Sequence, residues 1–161
     1  MAHRDIEVRR TAVARAPREV VWEVLTDHAS YAEWTDVGES RYEVEGDPAP
    51  NGFGAIRLFS SKDVFDFPHV SREEINHFWP PHVMGYRMLP GDGVPAYDHQ
   101  GIVVLTEVEG GTEIAWHMVC NCVDRDVVDK MRARSLGPNG TVQRLVEQVA
   151  AEAERRYASQ S

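Results

Sequence analysis

Apolar residues alternate through DIEVRRTAV, residues 5 to 13, where Ile6, Val8 and, past the polar Arg10, Ala12 fall on every second position. That period of two predicts a half-buried strand. The period then changes. Pro17 opens a helix at a position where its missing N–H is no loss, Glu19 sits in the first turn, and Val20, Val21, Val24 and Leu25 form an apolar stripe with Trp22 at its margin. The helix is expected to end near Asp27. DHASYAEW then offers Ser30 as an N-cap for one more short turn, which would set Tyr31 and Trp34 on a common face.

From residue 39 the period returns to two. SRYEVEG and FGAIRLF are separated by the loop GDPAPNG, and VSREEINHFW and HVMGYRML by Pro80 and Pro81, which cannot both continue a ladder. HQGIVVLTEVEGGTEIAWHMVC reads as a hairpin about Gly110 and Gly111. Placing those two glycines in the turn sets Leu105 opposite Trp116, Val103 opposite Met118, Gly101 opposite Cys120 and His99 opposite Cys122. These residues, with Ile114, share the face assigned to the interior, because the companion face is smaller and more polar. In the proline hairpin the same exercise pairs Ile75 with Tyr86, Glu73 with Met88 and His77 with Met84, looking inward, and Glu74 with Arg87 outward. Met84, Met88 and Met118 then lie on the concave face, where thioethers adapt to variable apolar contents.

The chain closes on an amphipathic helix over about 138–157, with Val142, Leu145, Val146, Val149, Ala150, Ala153 and Tyr157 at helical spacing. Between hairpin and helix, residues 124–136 are charged but carry Val127, Val128, Met131 and Leu136. This stretch is a loop or short helix over one end of the sheet and a candidate gate.

Composition changes the picture mainly by exclusion. Acidic residues outnumber basic ones 26 to 17, for a formal charge of -9, which argues against a nucleic-acid partner. No run of apolar residues is long enough to span a membrane and no secretory leader is evident, so a cytoplasmic protein is expected. The 161 residues are the size of one globular domain. Cys120 and Cys122, one residue apart, seldom bridge each other without strain, and they are expected to stay reduced.

The order is strand, two short helices, about five more strands and a long helix, an α+β arrangement with helices on one face of an antiparallel sheet. VWEVLTDHASYAEW, VSREEINHFWPPHVMGYRM, EGGTEIAWHM and the closing amphipathic helix together resemble the START-like (SRPBCC) superfamily, also described as polyketide cyclase/dehydrase and lipid-transport proteins. The resemblance implies a helix-grip fold over residues 1–161. A curved antiparallel sheet of about seven strands would wrap the C-terminal helix, leaving a cavity for a hydrophobic small molecule. It also places Tyr31 and Trp34 at the junction of core and pocket.

The residues expected to face such a ligand are Tyr31, Ile75, Met84, Tyr86, Met88, His99 and Val103. Leu105, Trp116, Met118, Cys120, Leu145 and Val149 complete the set. From the residues alone a filled core competes with an open cavity. Three functions stay open: a lipid or polyketide-like binder, a polyketide cyclase, dehydratase or aromatase, and an interaction module with a filled core. Catalysis would use acid–base groups, with Tyr86, His99 and His77 as candidates. No cofactor or metal is expected, because His99, Cys120 and Cys122 lack a further ligand and C-x-C is not the spacing of common structural zinc sites. Oligomeric state is left open.

Overall fold

Strand-forming and helix-forming patterns settle into one seven-stranded antiparallel sheet with its helices on the concave side. The computed structural model describes residues 4–64, 67–90 and 96–161. The strands are β1 Ile6–Ala14, β2 Glu39–Val44, β3 Ile56–Val64, β4 Phe67–Trp79, β5 Val83–Met88, β6 Ala96–Val108 and β7 Gly111–Cys122. Their order in the sheet is β1-β7-β6-β5-β4-β3-β2, so the first strand lies beside the last and the others follow as a meander. The helices are α1 Arg18–Thr26, α2 Tyr31–Trp34 after a 3₁₀ turn at His28–Ser30, α3 Arg125–Leu136 and α4 Thr141–Ser159.

One end of this grip is solid. Ile6 and Val8 from β1, Leu105 and Ile114 from the β6–β7 hairpin, Val21 and Leu25 from α1, and Val146 and Val149 from α4 are all essentially inaccessible to water. Each such side chain contributes about 1.5–3 kcal/mol relative to exposure. Trp22, expected at the stripe margin, is buried against Phe78 with ring centroids 5.3 Å apart.

Three local details differ from the sequence-based expectation. The β6–β7 turn is centred one residue earlier, since Val108 pairs with Gly111, and Gly110 adopts φ +84. Leu105 therefore faces Ile114, Val103 faces Trp116 and Gly101 faces Met118. A slip of two leaves every side chain on its expected face, because the strand period is two. In β4 a bulge between Ile75 and His77 keeps Ile75 opposite Tyr86 but sets His77 against Gly85 and Phe78 against Met84. His77 is thereby turned outward and exposed, which corrects its assignment to the interior. In β6 a second bulge between Tyr97 and Gln100, with Asp98 at φ 49, puts Ala96 rather than His99 opposite Cys122.

The stretch 124–136 is mostly helical. Asp124 caps α3, its Oδ1 accepting from the Val127 N–H at 2.9 Å. Ser30, by contrast, does not cap α2 through its side chain. Its hydroxyl donates to the Asp27 carbonyl and accepts from Trp34 Nε1, each at 2.9 Å.

Candidate functional site

Away from the solid end, sheet and helices separate around a cavity of about 510 Å³, within the span of small-molecule sites. Its floor is the concave face of β3 to β7. Arg57, Glu73, Tyr86, His99, Trp116 and Met118 rise from it, with Met88 and Ala96 beside them. Tyr31 and Phe59 form an aromatic side wall, and Met131 and Ser135 of α3 with Leu145 of α4 form the roof. The rim is polar: Asp36, after α2, meets Arg144 of α4 at 2.7 Å, and Gln148 donates to the same carboxylate at 3.4 Å.

The polar floor follows from register. Arg57 on β3 pairs across the ladder with Glu73 on β4. Both are buried, and the guanidinium donates to Glu73 Oε2 from Nε at 2.9 Å and from Nη2 at 2.7 Å. The second carboxylate oxygen accepts from the Ser71 hydroxyl at 3.1 Å. Burial opposes the charge on Arg57, but Glu73, aided by the Tyr31 and Tyr86 oxygens, outweighs it and raises the pKa. The rings of Tyr86 and Phe59 flank the cation at 4.7 and 4.9 Å. Behind the guanidinium stands His28, fully buried, with Nδ1 at 3.2 Å from Arg57 Nη1 and Nε2 at 3.2 Å from the Asn51 carbonyl.

Tyr86 and His99 bring the remaining chemistry. Tyr86 accepts from Trp116 Nε1 at 3.1 Å, which leaves its own proton to donate into the cavity. Burial pushes its pKa up, so the phenol stays protonated throughout the physiological range. Its ring lies over Gly101, where any Cβ would collide with it. The His99 ring is 6.0 Å from that of Tyr86, and its Nδ1 is buried without a hydrogen-bond partner among the described residues. Burial lowers the His99 pKa and favours the neutral imidazole.

Of the residues expected to face a ligand, Tyr31, Tyr86, Met88, His99, Trp116, Met118 and Leu145 line the cavity. Tyr31 does so with its ring only, since its hydroxyl donates to the Leu25 carbonyl at 2.6 Å, and burial pushes its pKa up to about 12. Ile75, Met84, Val103, Leu105, Cys120 and Val149 instead belong to the packed core, where neighbouring apolar side chains leave no open wall. Trp34 packs against Tyr31 outside the cavity, with ring centroids 4.6 Å apart and planes tilted by 45°. Burial pushes the Cys120 thiol up to about 12, so it is no nucleophile at neutral pH. Among the described residues no His, Cys, Asp and Glu cluster could hold a metal ion, and no helix is long and apolar enough to cross a membrane.

The sequence reading missed Arg57, Ser71 and His28. No face was assigned to FGAIRLF, and Glu73, already assigned inward beside Met88, was the signal that a buried cation should face it.

A family model described as polyketide cyclase / dehydrase and lipid transport matches residues 5–154. The chain belongs to that family. The structure of the Zhui aromatase/cyclase from Streptomyces sp. R1128 superposes with a TM-score of 0.73 at 20% identity, covering 94% of each chain. A START superfamily protein from Mycobacterium smegmatis gives 0.69 at 12% identity, over 96% of this chain and 99% of that one. Ginseng major latex-like protein 151 from Panax ginseng gives 0.68 at 12%, over 94% and 97%. At these identities the likeness establishes the helix-grip fold and nothing finer. No curated protein matches this sequence. Membership in the polyketide cyclase / dehydrase and lipid transport family supports a role in binding hydrophobic ligands or in polyketide cyclisation.

Proposed function

We propose that this chain binds a largely apolar small molecule, lipid-like or polyketide-like, in the cavity between sheet and α4, with an oxygen of the ligand seated against Arg57 and Tyr86. The observation that carries this reading is the pairing of an open chamber of about 510 Å³ with hydrogen-bond donors at its floor. A chamber built only for packing would have no use for a buried guanidinium and a phenol at its floor. The aromatic and thioether walls supply apolar contact without specifying one shape. The two free thiols support a reducing, cytoplasmic setting.

Native mass spectrometry of protein purified gently from its own host, with extraction and identification of retained compounds, tests the reading. A bound oxygen-bearing hydrophobe is the expected result. A stable, empty protein that takes up none of a broad panel of such compounds would refute it.

The convergence of Arg57, Tyr86 and His99 on one chamber favours a second reading, polyketide cyclase or dehydratase activity. Neutral His99 would take a proton from a carbon flanked by two carbonyls, and the enolate oxygen would rest on Arg57 and Tyr86. The carbanion would then attack a second carbonyl of the same chain, opening its C=O bond, and the resulting alkoxide would take the proton back from His99. Incubation with a short poly-β-ketone surrogate should give cyclised product with the wild type and far less with His99→Ala. Equal product from both would remove His99 from the mechanism.

A further inference from the structure

We infer that His28 is a positioning residue for Arg57, one that orients the guanidinium so that the cavity floor receives an uncharged oxygen acceptor such as a ketone. The inference rests on the ligand-binding reading above and adds to it the chemical class of the group recognised. His28 lies in the 3₁₀ turn between α1 and α2, outside the cavity wall, and reaches the site through its hydrogen bond to Arg57 and a ring contact with Tyr31 at 6.5 Å.

Its tautomer is dictated by its neighbours. The Asn51 carbonyl can only accept, so Nε2 carries the proton at that 3.2 Å contact. Nδ1 therefore presents a lone pair to Arg57 Nη1, which donates at 3.2 Å. Burial, followed by the nearby Arg57 cation, pushes the His28 pKa well below its ordinary value and keeps the ring neutral. Tyr42 packs edge-on against the ring at 5.8 Å and restricts its tilt.

Glu73 takes Nε and Nη2, and His28 takes one hydrogen of Nη1. The plane of the guanidinium is thereby fixed from two sides, Tyr31 is a further partner, and the edge left over belongs to the cavity lining. The charge balance defines the ligand class. Glu73 already compensates Arg57, and a neutral His28 adds nothing, so no uncompensated positive charge awaits a carboxylate. A ketone oxygen can accept from the N–H these contacts leave over without disturbing that balance.

The test uses 2-acetylnaphthalene and 2-ethylnaphthalene, similar in shape but differing in the carbonyl, titrated against Trp fluorescence. His28→Leu should weaken binding of the ketone about tenfold and leave the hydrocarbon unchanged. His28→Asn, whose Oδ1 can replace Nδ1 as acceptor, should restore most of the ketone preference. A folded His28→Leu protein with the wild-type preference overturns the inference.

A ligand-free measurement covers the case in which the Leu variant does not fold. ¹⁵N spectra of the wild type should show His28 neutral and protonated on Nε2, and resolved rather than averaged Nη signals from Arg57. Protonation on Nδ1, or averaged Nη signals, overturns the contact. Failure of the wild type to bind either naphthalene would overturn the cavity reading and the ligand class with it, while the ¹⁵N signals still decide whether His28 holds Arg57.

Discussion

Replacing Glu73 by Gln keeps the side-chain shape and an oxygen for Ser71 but removes the negative charge that Arg57 meets at 2.7 Å. Arg57 is only 1% exposed, so water can take over little of the lost interaction. Breaking a buried pair from one side costs about 3–5 kcal/mol, largely the penalty of the charge left behind. Against a total stability of about 5–15 kcal/mol the variant should still fold. For a chain of this size the loss corresponds to a fall in Tm of roughly 6 to 20 °C.

Removing both charges should behave differently. The double variant Arg57→Met, Glu73→Leu exchanges a desolvated pair for apolar contacts with Tyr31, Phe59 and Tyr86. It should return to within about 1–2 kcal/mol of wild type, because such replacements are often neutral or better. Urea unfolding of wild type, Arg57→Met, Glu73→Leu and the double, analysed as a cycle, measures the coupling. Additive single and double effects would refute the claim that the two charges are held for each other, and a cost below about 0.5 kcal/mol for Glu73→Gln would show that the site is wet. If ligand binding is lost in the double variant while stability is kept, the pair serves recognition more than folding.

Other consequences can be checked independently. Gly101→Ala should drive the Tyr86 ring from its seat and cost about 1–3 kcal/mol, with Tyr86 ring contacts altered in NOE spectra; an unmoved ring would contradict the packing. Tyr86→Phe should cost about 1–3 kcal/mol by leaving the Trp116 indole N–H unpaired, and should weaken ketone binding in the same titration. The neutral, buried His28 and His99 take up protons more readily once unfolded, so stability should decline as pH falls below about 6.5. At lower pH, Glu152 contributes: hydrogen bonds from Arg155 and Arg156 hold it at about 2. Its stabilisation is present above the unfolded value near 4.3 and is lost as pH falls toward 2. Glu152→Gln should flatten that part of an acid-unfolding profile. Asp36→Ala opens the exposed Arg144 contact at the rim; it should change stability by less than about 1 kcal/mol but speed ligand dissociation in stopped-flow displacement.

Much of the architecture was legible because it is local. Alternation marked the strands, the 3.6 period marked α1 and α4, and the paired glycines marked a hairpin whose register slipped by two without changing a single face. The β5–β4 pairs Ile75–Tyr86, Glu73–Met88 and Glu74–Arg87 came out as counted because the bulge before His77 offsets a one-residue error in the assumed turn, next to which Phe78, not His77, faces Met84. The same counting failed at His77, since a bulge adds one residue to one strand and nothing in the local sequence announces it. Tyr86, His99 and Trp116 were reachable by parity alone. Arg57 was not, because it sits between the apolar Ile56 and Leu58, and a charged residue so placed reads locally as the solvent side of a strand.

The order of hydrophobic and polar residues by itself determined which segments become strands and helices and which face of each is apolar, because those properties follow from a few neighbours along the chain. Only the tertiary structure decided that the concave space is a chamber, and that Arg57 is buried there rather than solvated. It also decided that His28, from a short turn, stands behind Arg57, and that Tyr31 spends its hydroxyl on a backbone carbonyl. Each of those outcomes depends on how strands and helices distant in sequence meet. The free energy of a buried charge is set by the partners that converge on it, and their convergence is a property of the fold.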